Sequence, residues 1–543
     1  MVRQKKSLGV IWRAEKMDNN HTPPPEVTEA NLLEIVRTLR TDVGRQEQLL
    51  QQVLAILQQY DLRPLETLSS PSTFLPVWVP EEGAYVIDDL NGLLPKVRQI
   101  GKGHDNPQDH FARLKATAMG RYYVSHLKQY PIVRALVSWI WRNCYPVYVN
   151  SIAIQFRNRE AKRWRPMIKL SEFVKKSGTP TTQVVDAAIV ETPAPKVFPS
   201  VDQGYLEKPH DHYNFPHIYV ATISGGMIYG GTNLVLTKDE VIYHDLYDFK
   251  CDYTSEELHG RKLIDPDKSR IRWLVHDELP AHLPAAAVFV DACASNYAHW
   301  LTEVLPRIAA FCAAEQFKDI PIVVNDGLHK NIMESLFLMA GPEREIVTLP
   351  IGSALHVAAL YLTSVAGYVP FEPRNNKILG NSHGVFSPHA FDLIRTQASS
   401  YAGKLPQQAW PEKIYLRRNS GARKVTNAAE LEELLINHGF VIVEPEKLTF
   451  LQQFLLFSHT KVVVGSSGAA LANIMFSSSE AKIFILISKF QNTSYWYWQN
   501  IACASGKVVN YVFGDAVEGQ TNGIHADFKI DVQNLKEALS QYE

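Results

Sequence analysis

The rhythm of apolar and polar positions changes three times along the chain. Between residues 28 and 60, Leu32, Val36, Leu39, Val43, Leu50, Val53 and Leu57 recur in steps of four and three, with Gln46 at the one polar seam position. That spacing predicts a coiled coil of nearly four heptads, which would make the protein a homo-oligomer; a helix packed on its own body is the alternative. Pro64, Pro71, Pro76 and Pro80 then end the helix and mark a linker. Residues 105–165 read as amphipathic helix, with Trp139, Trp141, Tyr145, Tyr148 and Trp164 set among Arg134, Arg142, Arg157, Arg159, Arg163 and Arg165. Aromatic residues flanked by arginine suit a helix lying on an anionic membrane surface; a buried hairpin with snorkelling arginines gives the same pattern.

From about residue 165 the period shortens. Residues 178–217 are rich in Pro, Thr and His and read as loop, and residues 217–246 as short alternating strands with Gly turns. After Ala285, compact apolar runs alternate with helical patterns. Strands are predicted at 286–291, 320–325, 345–349, 356–363, 412–418, 440–445, 461–466, 481–487 and 508–513, with helices at 297–315, 427–438, 449–460 and 468–476. This alternation predicts an α/β protein with two doubly wound, Rossmann-like lobes facing a cleft. The expected organisation is a disordered stretch (1–26), a coiled coil (27–62), a linker (63–104), a helical module (105–165), a loop with a small β unit (166–280), and lobes at 281–385 and 386–543.

Composition narrows the class. With 543 residues the chain can bury a large core without staples. Lys plus Arg is 55 and Asp plus Glu is 56, a net charge of -1, which argues against bulk nucleic acid as the main partner. The five Cys, at 144, 251, 293, 312 and 503, form no CxxC, and this suits a reducing compartment. No run of 18 apolar residues occurs, and the basic N-terminus has only residues 8–12 as an apolar stretch, too short for a secretory core. A cytoplasmic protein, held peripherally at the inner face of the plasma membrane, is the expectation.

Three constellations sit at predicted strand ends. In NYAHWLTEVLPR (296–307), Asn296 is placed to cap a helix, and His299, Glu303 and Arg307 follow at four-residue steps on one face. His299 can act as general base on a hydroxyl, with Glu303 orienting it or substituting for it. In YLRRNSGARKVTN (415–427), Arg417, Arg418, Arg423 and Lys424 surround a Gly turn, and clustered guanidinium groups suit a diphosphate. In VVVGSSGAALAN (462–473), a strand, a Gly/Ser loop holding Ser466, Ser467, Gly468 and Ala469, and a helix carrying Asn473 follow one another; free N–H groups at the helix start attract phosphate. For these segments the plainer readings are a docking helix, a solvated charged loop and a tight turn. His210, His212 and His217 lie in one Pro-containing loop with no fixed geometry for a metal.

From about Pro216 to the C-terminus these residues resemble glycosyltransferase family 61, which includes bacterial capsule and lipopolysaccharide enzymes. NYAHWLTEVLPR is similar to the family's Asn-x-x-His-Trp segment ending in Leu-Pro-Arg. YLRRNSGARKVTNAAEL resembles its Arg-rich strand end followed by Asn and Glu, here Asn427 and Glu430. GFVIVEPEKLTFLQQ resembles a Pro-Glu-x-Leu-(x)3-Gln stretch, and VVVGSSGAALANIMF a loop usually written His-Gly-Ala-Gly-Leu-x-Asn. The resemblance implies a GT-B-like pair of lobes and transfer of a hexosyl or pentosyl group from a nucleotide sugar without a catalytic metal or other cofactor. It makes His299 the base, Arg418 and Arg423 the diphosphate ligands, Gly468 and Ala469 donors of backbone N–H groups, and Glu446 a donor contact. The departure is Ser467, where many relatives carry His before the Gly. The acceptor would be a glycan or lipid-linked hydroxyl in surface polysaccharide synthesis. A non-catalytic nucleotide-sugar scaffold and a nucleotide-sugar epimerase on the same fold are the rivals.

Overall fold

The apolar runs after Ala285 become strands buried on both faces, because helices cover them from either side. The structure is a computed structural model, and it describes residues 95–101, 122, 133, 163–206, 210–254, 262–273, 280–370, 372–373, 383–404, 408–419, 423–490, 495–517 and 526–542. The chain divides into two compact units, Met1–Leu62 and Arg63–Glu543, and the described residues all belong to the second. The expected disordered N-terminus and coiled coil lie outside them, as do most of the linker and of the helical module at 105–165.

A twelve-stranded mixed sheet forms the first half. Its parallel part runs Val97–Gln99, Ile346–Leu349, Ile322–Asn325, Ala281–Val288, Ala354–Thr363. On the far side of Ala354–Thr363 the long strand Ile218–Tyr229 pairs antiparallel over nine residue pairs, Ala354 with Tyr229 through Thr363 with Val220. Shorter strands, including Val241–Tyr243 and Trp164–Lys169, extend the sheet beyond it. Gly230 permits the turn out of Ile218–Tyr229, since a Cβ there would collide with the Pro350 carbonyl.

The second sheet is almost wholly parallel. Its order is Val441–Val443, Lys413–Leu416, Val462–Ser466, Lys482–Ser488, Val509–Ala516, with Phe528–Lys529 antiparallel at the edge. Strand alternation assigns its two faces. Ile414, Leu416, Val463, Ile483 and Ile485 pack on one side with helices Phe450–His459 and Trp496–Cys503. Tyr415, Val464, Phe484 and Leu486 pack on the other with helices Ala428–Asn437 and Val532–Ser540. The first of these cores continues without a break into the helices of the first sheet, through Leu301, Leu305 and Ile308.

The α/β class and the order of the predicted strands from residue 281 agree with the pattern, which omits helices Lys330–Ala340, Pro388–Ala402 and Trp496–Cys503. Three elements differ from it. The strands at 218–243 are no separate unit; they are the antiparallel half of the first sheet. Residues 178–217 are not simply loop, since Thr181–Val185, Ala188–Glu191, Lys196–Phe198 and His212–Phe215 are strands, short ones whose alternation Pro193, Pro195 and Pro199 interrupt. Lys196–Phe198 leaves the first half and adds, parallel, to Val509–Ala516 of the second sheet. The predicted helix at 468–476 is a 3-10 helix, Ala469–Phe476.

Candidate active site

Beyond the end of Ala281–Val288 the chain enters a helix in three parts: α at Tyr297–His299, π at Trp300–Val304, α again at Leu305–Cys312. Asn296 caps it, its side chain accepting from the Ala298 N–H at 3.0 Å. The widened turn has a local cause. Pro306 has no N–H to give to the carbonyl of Thr302, four residues back. Gly367 closes on that same carbonyl, and a Cβ at 367 would fall far inside the 3.0 Å that real Cβ atoms respect.

The π turn aims His299 and Glu303 at one another. The His299 Nδ1 pairs with the Glu303 carboxylate through Oε2, while Oε1 accepts from the Val369 N–H at 2.8 Å. Their side chains are only 19% and 15% exposed, enough for one edge of the imidazole to meet a ligand. Burial works against the charged imidazole, but the Glu303 carboxylate outweighs it and raises the His299 pKa above the ordinary 6.5. Burial likewise raises the Glu303 carboxyl, against the opposing pull of His299. With Nδ1–H directed at Glu303, Nε2 is the nitrogen left to accept a proton. One turn on, Arg307 donates from Nε to the Glu303 carbonyl at 3.1 Å and faces Asp291 at 3.3 Å. Asp291 also accepts from Asn233 at 2.9 Å.

The basic group stands at the ends of the second sheet. Arg418 lies against Gly468, where a Cβ would collide with its guanidinium. Burial, then the charge of Arg423, lowers the Arg418 pKa to about 10. Arg423 has a left-handed backbone, φ 59°, and its pKa is lowered by burial. Its Nε is buried with no hydrogen-bond partner among the described residues, and NH1 reaches the Ser467 hydroxyl at 3.5 Å. Ser467 also accepts from the Trp498 indole N–H at 3.1 Å, and the Ser466 hydroxyl is buried without a partner among the described residues.

Residues 297–484 match the family model Glycosyltransferase 61. The match covers about a third of the chain, from the helix of His299 to within the strand Lys482–Ser488. It supports membership of family 61 and a glycosyltransferase activity in general. No curated protein matches the chain.

Within the family segment the two groups adjoin. Tyr297, two residues before His299, donates to Asn473 at 3.0 Å, and Asn473 donates to Gln453 at 2.7 Å. The Tyr497 ring lies 4.5 Å from that of Trp498, the residue that donates to Ser467. Other sequence candidates are engaged within the protein, Arg417 on the sheet's inner side and Glu446 at the surface. Arg417 is held bidentately by Glu432 at 2.7 and 2.6 Å and by Glu444 at 3.2 Å. Asn427 locks both backbone groups of Ile530 and also donates to Glu430. Glu446 accepts from Asn419 at 2.6 Å, and Ala469 opens the 3-10 helix beside Arg418. Asp291, Asn233, Val369 and Tyr497 were not singled out by sequence. Tyr497 had a usable signal, the aromatic cluster SYWYWQN at the start of a helix.

His212 is an exposed strand residue opposite Glu191, and the His217 ring lies 5.7 Å from that of Tyr219. Among the described residues no group of three or more His, Cys, Asp or Glu is placed to hold a metal. No helix among them is long and apolar enough to cross a membrane.

Proposed function

We propose that the protein transfers a hexosyl or pentosyl group from a nucleotide sugar to a hydroxyl of a glycan or lipid-linked acceptor, on a GT-B-like pair of lobes. The observation that carries this is a carboxylate-oriented histidine whose helix is tied through Tyr297 to Asn473, in the helix that follows the Gly/Ser loop against which two partly buried arginines lie. Arg418 and Arg423 hold the diphosphate, assisted by N–H groups at Gly468 and Ala469, and these stabilise the charge that develops on departure. The acceptor oxygen bonds to the anomeric carbon as the carbon–oxygen bond to the diphosphate breaks. The acceptor proton passes to Nε2 of His299, and Glu303 stabilises the imidazolium. The nucleoside diphosphate leaves with the bonding electron pair, and no metal is needed for that balance.

The setting proposed is surface polysaccharide synthesis on the cytoplasmic side, with oligomerisation through residues 28–60 and membrane contact through 105–165. The test is binding and slow hydrolysis across a panel of nucleotide sugars. Arg418→Ala should weaken donor binding, and His299→Ala should cut turnover while sparing it. Full activity in His299→Ala, or unchanged donor affinity in Arg418→Ala, would overturn the corresponding role. Donor binding with no hydrolysis or transfer would leave a scaffold, a reading favoured by the use of the Ser467 hydroxyl in holding Trp498 and Arg423.

A further inference from the structure

We propose that Tyr297 and Asn473 are positioning residues, parts of a buried clamp that fixes how far His299 stands from the loop of Arg418 and Arg423. The inference rests on the transferase reading above. Tyr297 and Trp300 lie on either side of His299 in the chain, and both are tied down by their side chains. The Tyr297 hydroxyl donates to Asn473 Oδ1 at 3.0 Å, and the Trp300 indole N–H donates to the Ser335 hydroxyl at 2.8 Å. From these two ends the hydrogen bonds lead to one place. Asn473 donates to Gln453 Oε1 at 2.7 Å, and Gln453 donates to the Leu448 carbonyl at 3.2 Å. Asn331, one turn before Ser335 on helix Lys330–Ala340, donates to that same carbonyl at 2.7 Å. The circuit leaves the imidazole turn on one side and returns to it on the other.

Burial gives the circuit its stiffness. Trp300, Ser335 and Asn473 are fully buried, and Gln453 and Asn331 nearly so. Asn473 gives its other amide hydrogen to the Ala470 carbonyl at 3.0 Å, so both donors are used and its oxygen takes Tyr297. An asparagine so placed is out of a substrate's reach, and its task is to hold another residue. In a buried network each missing bond strands a polar partner, so the members stay in one arrangement. Position gives the clamp its purpose. Asn473 sits four residues after Ala469 on the 3-10 helix that opens beside Arg418. The element whose first N–H groups face the diphosphate therefore also holds the turn of the base. His299 and Glu303 pair within one helix, so their pairing does not depend on the clamp. What the clamp sets is their distance from the donor, before either substrate arrives.

Tyr297→Phe removes one oxygen and opens no cavity. In the full chain, turnover should fall about tenfold or more while donor affinity stays at the parental value. The acid limb set by Glu303 should not move, because His299 and Glu303 shift together. Ser335→Ala frees the Trp300 indole at the other flank and should lower turnover in the same way; it carries the test if Tyr297→Phe folds poorly. Tyr297 and Asn473 act through one contact, so Tyr297→Phe added to Asn473→Ala should cost less than Tyr297→Phe alone. Hydrogen exchange reads the clamp with no donor present. In Tyr297→Phe the amides of 297–304 and of 469–476 should exchange faster together, while those of Val509–Ala516 stay protected. Four results overturn the clamp: parental turnover in a folded Tyr297→Phe or in Ser335→Ala, a parallel loss of donor affinity, an additive loss in the double variant, or exchange that does not rise in both segments. A parent chain that takes no nucleotide sugar overturns the transferase reading, and the clamp is then decided by exchange alone. Donor binding and transfer indifferent to Tyr297→Phe overturn the clamp and leave the transferase reading.

Discussion

Gly367→Ala should disable the His299–Glu303 pair while leaving the arginine loop intact. Gly367 is not in the left-handed region, so alanine fits its backbone conformation; the obstacle is space alone. The added methyl meets the Thr302 carbonyl, and both groups are backbone, so no rotamer change relieves the overlap. Restoring normal contact requires the two segments to part by about 1 Å, and an overpacked site of this kind typically costs about 1–3 kcal/mol of stability. The segment that moves carries Val369, whose N–H holds Glu303 at 2.8 Å, or else it is the π turn itself. Either motion swings the carboxylate that fixes the imidazole. A misplacement of about 1 Å at reacting groups can lower turnover about 10²-fold. The assay is steady-state transfer alongside calorimetric donor affinity and a thermal melt. Turnover should fall with donor affinity unchanged. Full turnover in a stably folded Gly367→Ala would refute the argument that this close approach sets the pair. A parallel loss of donor affinity would show instead that the disturbance is general.

Three further outcomes follow from the same geometry. Since the Glu303 charge raises the His299 pKa, activity should have an acid limb above pH 6.5, and Glu303→Gln should move that limb to lower pH as well as reducing the rate; an unmoved limb rejects the pairing. Arg417→Ala should destabilise by about 3 kcal/mol, because it strands the buried carboxylate of Glu432 while Glu444 keeps Lys447, with a melt distinguishing this from a donor-binding defect. Glu334 accepts from the N–H groups of Phe450 and Leu451, and burial raises its pKa from 4.5 to about 7. The folded protein thus retains a proton that the unfolded chain releases. Stability should fall as pH rises between those values, by on the order of 3 kcal/mol in denaturant titrations, and Glu334→Gln should flatten that slope.

What the sequence made legible follows burial. The strands Lys413–Leu416, Val462–Ser466 and Lys482–Ser488 are covered on both faces, so they read as unbroken apolar runs. Helices Lys330–Ala340, Pro388–Ala402 and Trp496–Cys503 did not stand out beside them. The four-residue spacing of His299 and Glu303 was visible, whereas the N–H that holds the carboxylate belongs to Val369, 66 positions away. Asp291 and Asn233 meet across 58 residues, a contact no local spacing encodes. Strand alternation could have separated Arg417 from Arg418. Arg417 continues the face of Tyr415 toward helix Ala428–Asn437, and Arg418 continues that of Leu416 toward the loop of Gly468.

The strand Lys196–Phe198 bears on how the molecule can be made and divided. Its partner Val509–Ala516 is translated roughly 300 residues later, so one edge of the second sheet waits for nearly the whole chain. Gln499 donating to the Pro193 carbonyl and Lys489 paired with Asp202 secure the same crossing. Residues 297–484 therefore do not constitute an autonomous folding unit: excised, they lack Ile218–Tyr229 from one sheet and Val509–Ala516 from the other. Domain exchange at the borders of the family match would cut through both sheets, and a soluble fragment must begin upstream of the crossing strand.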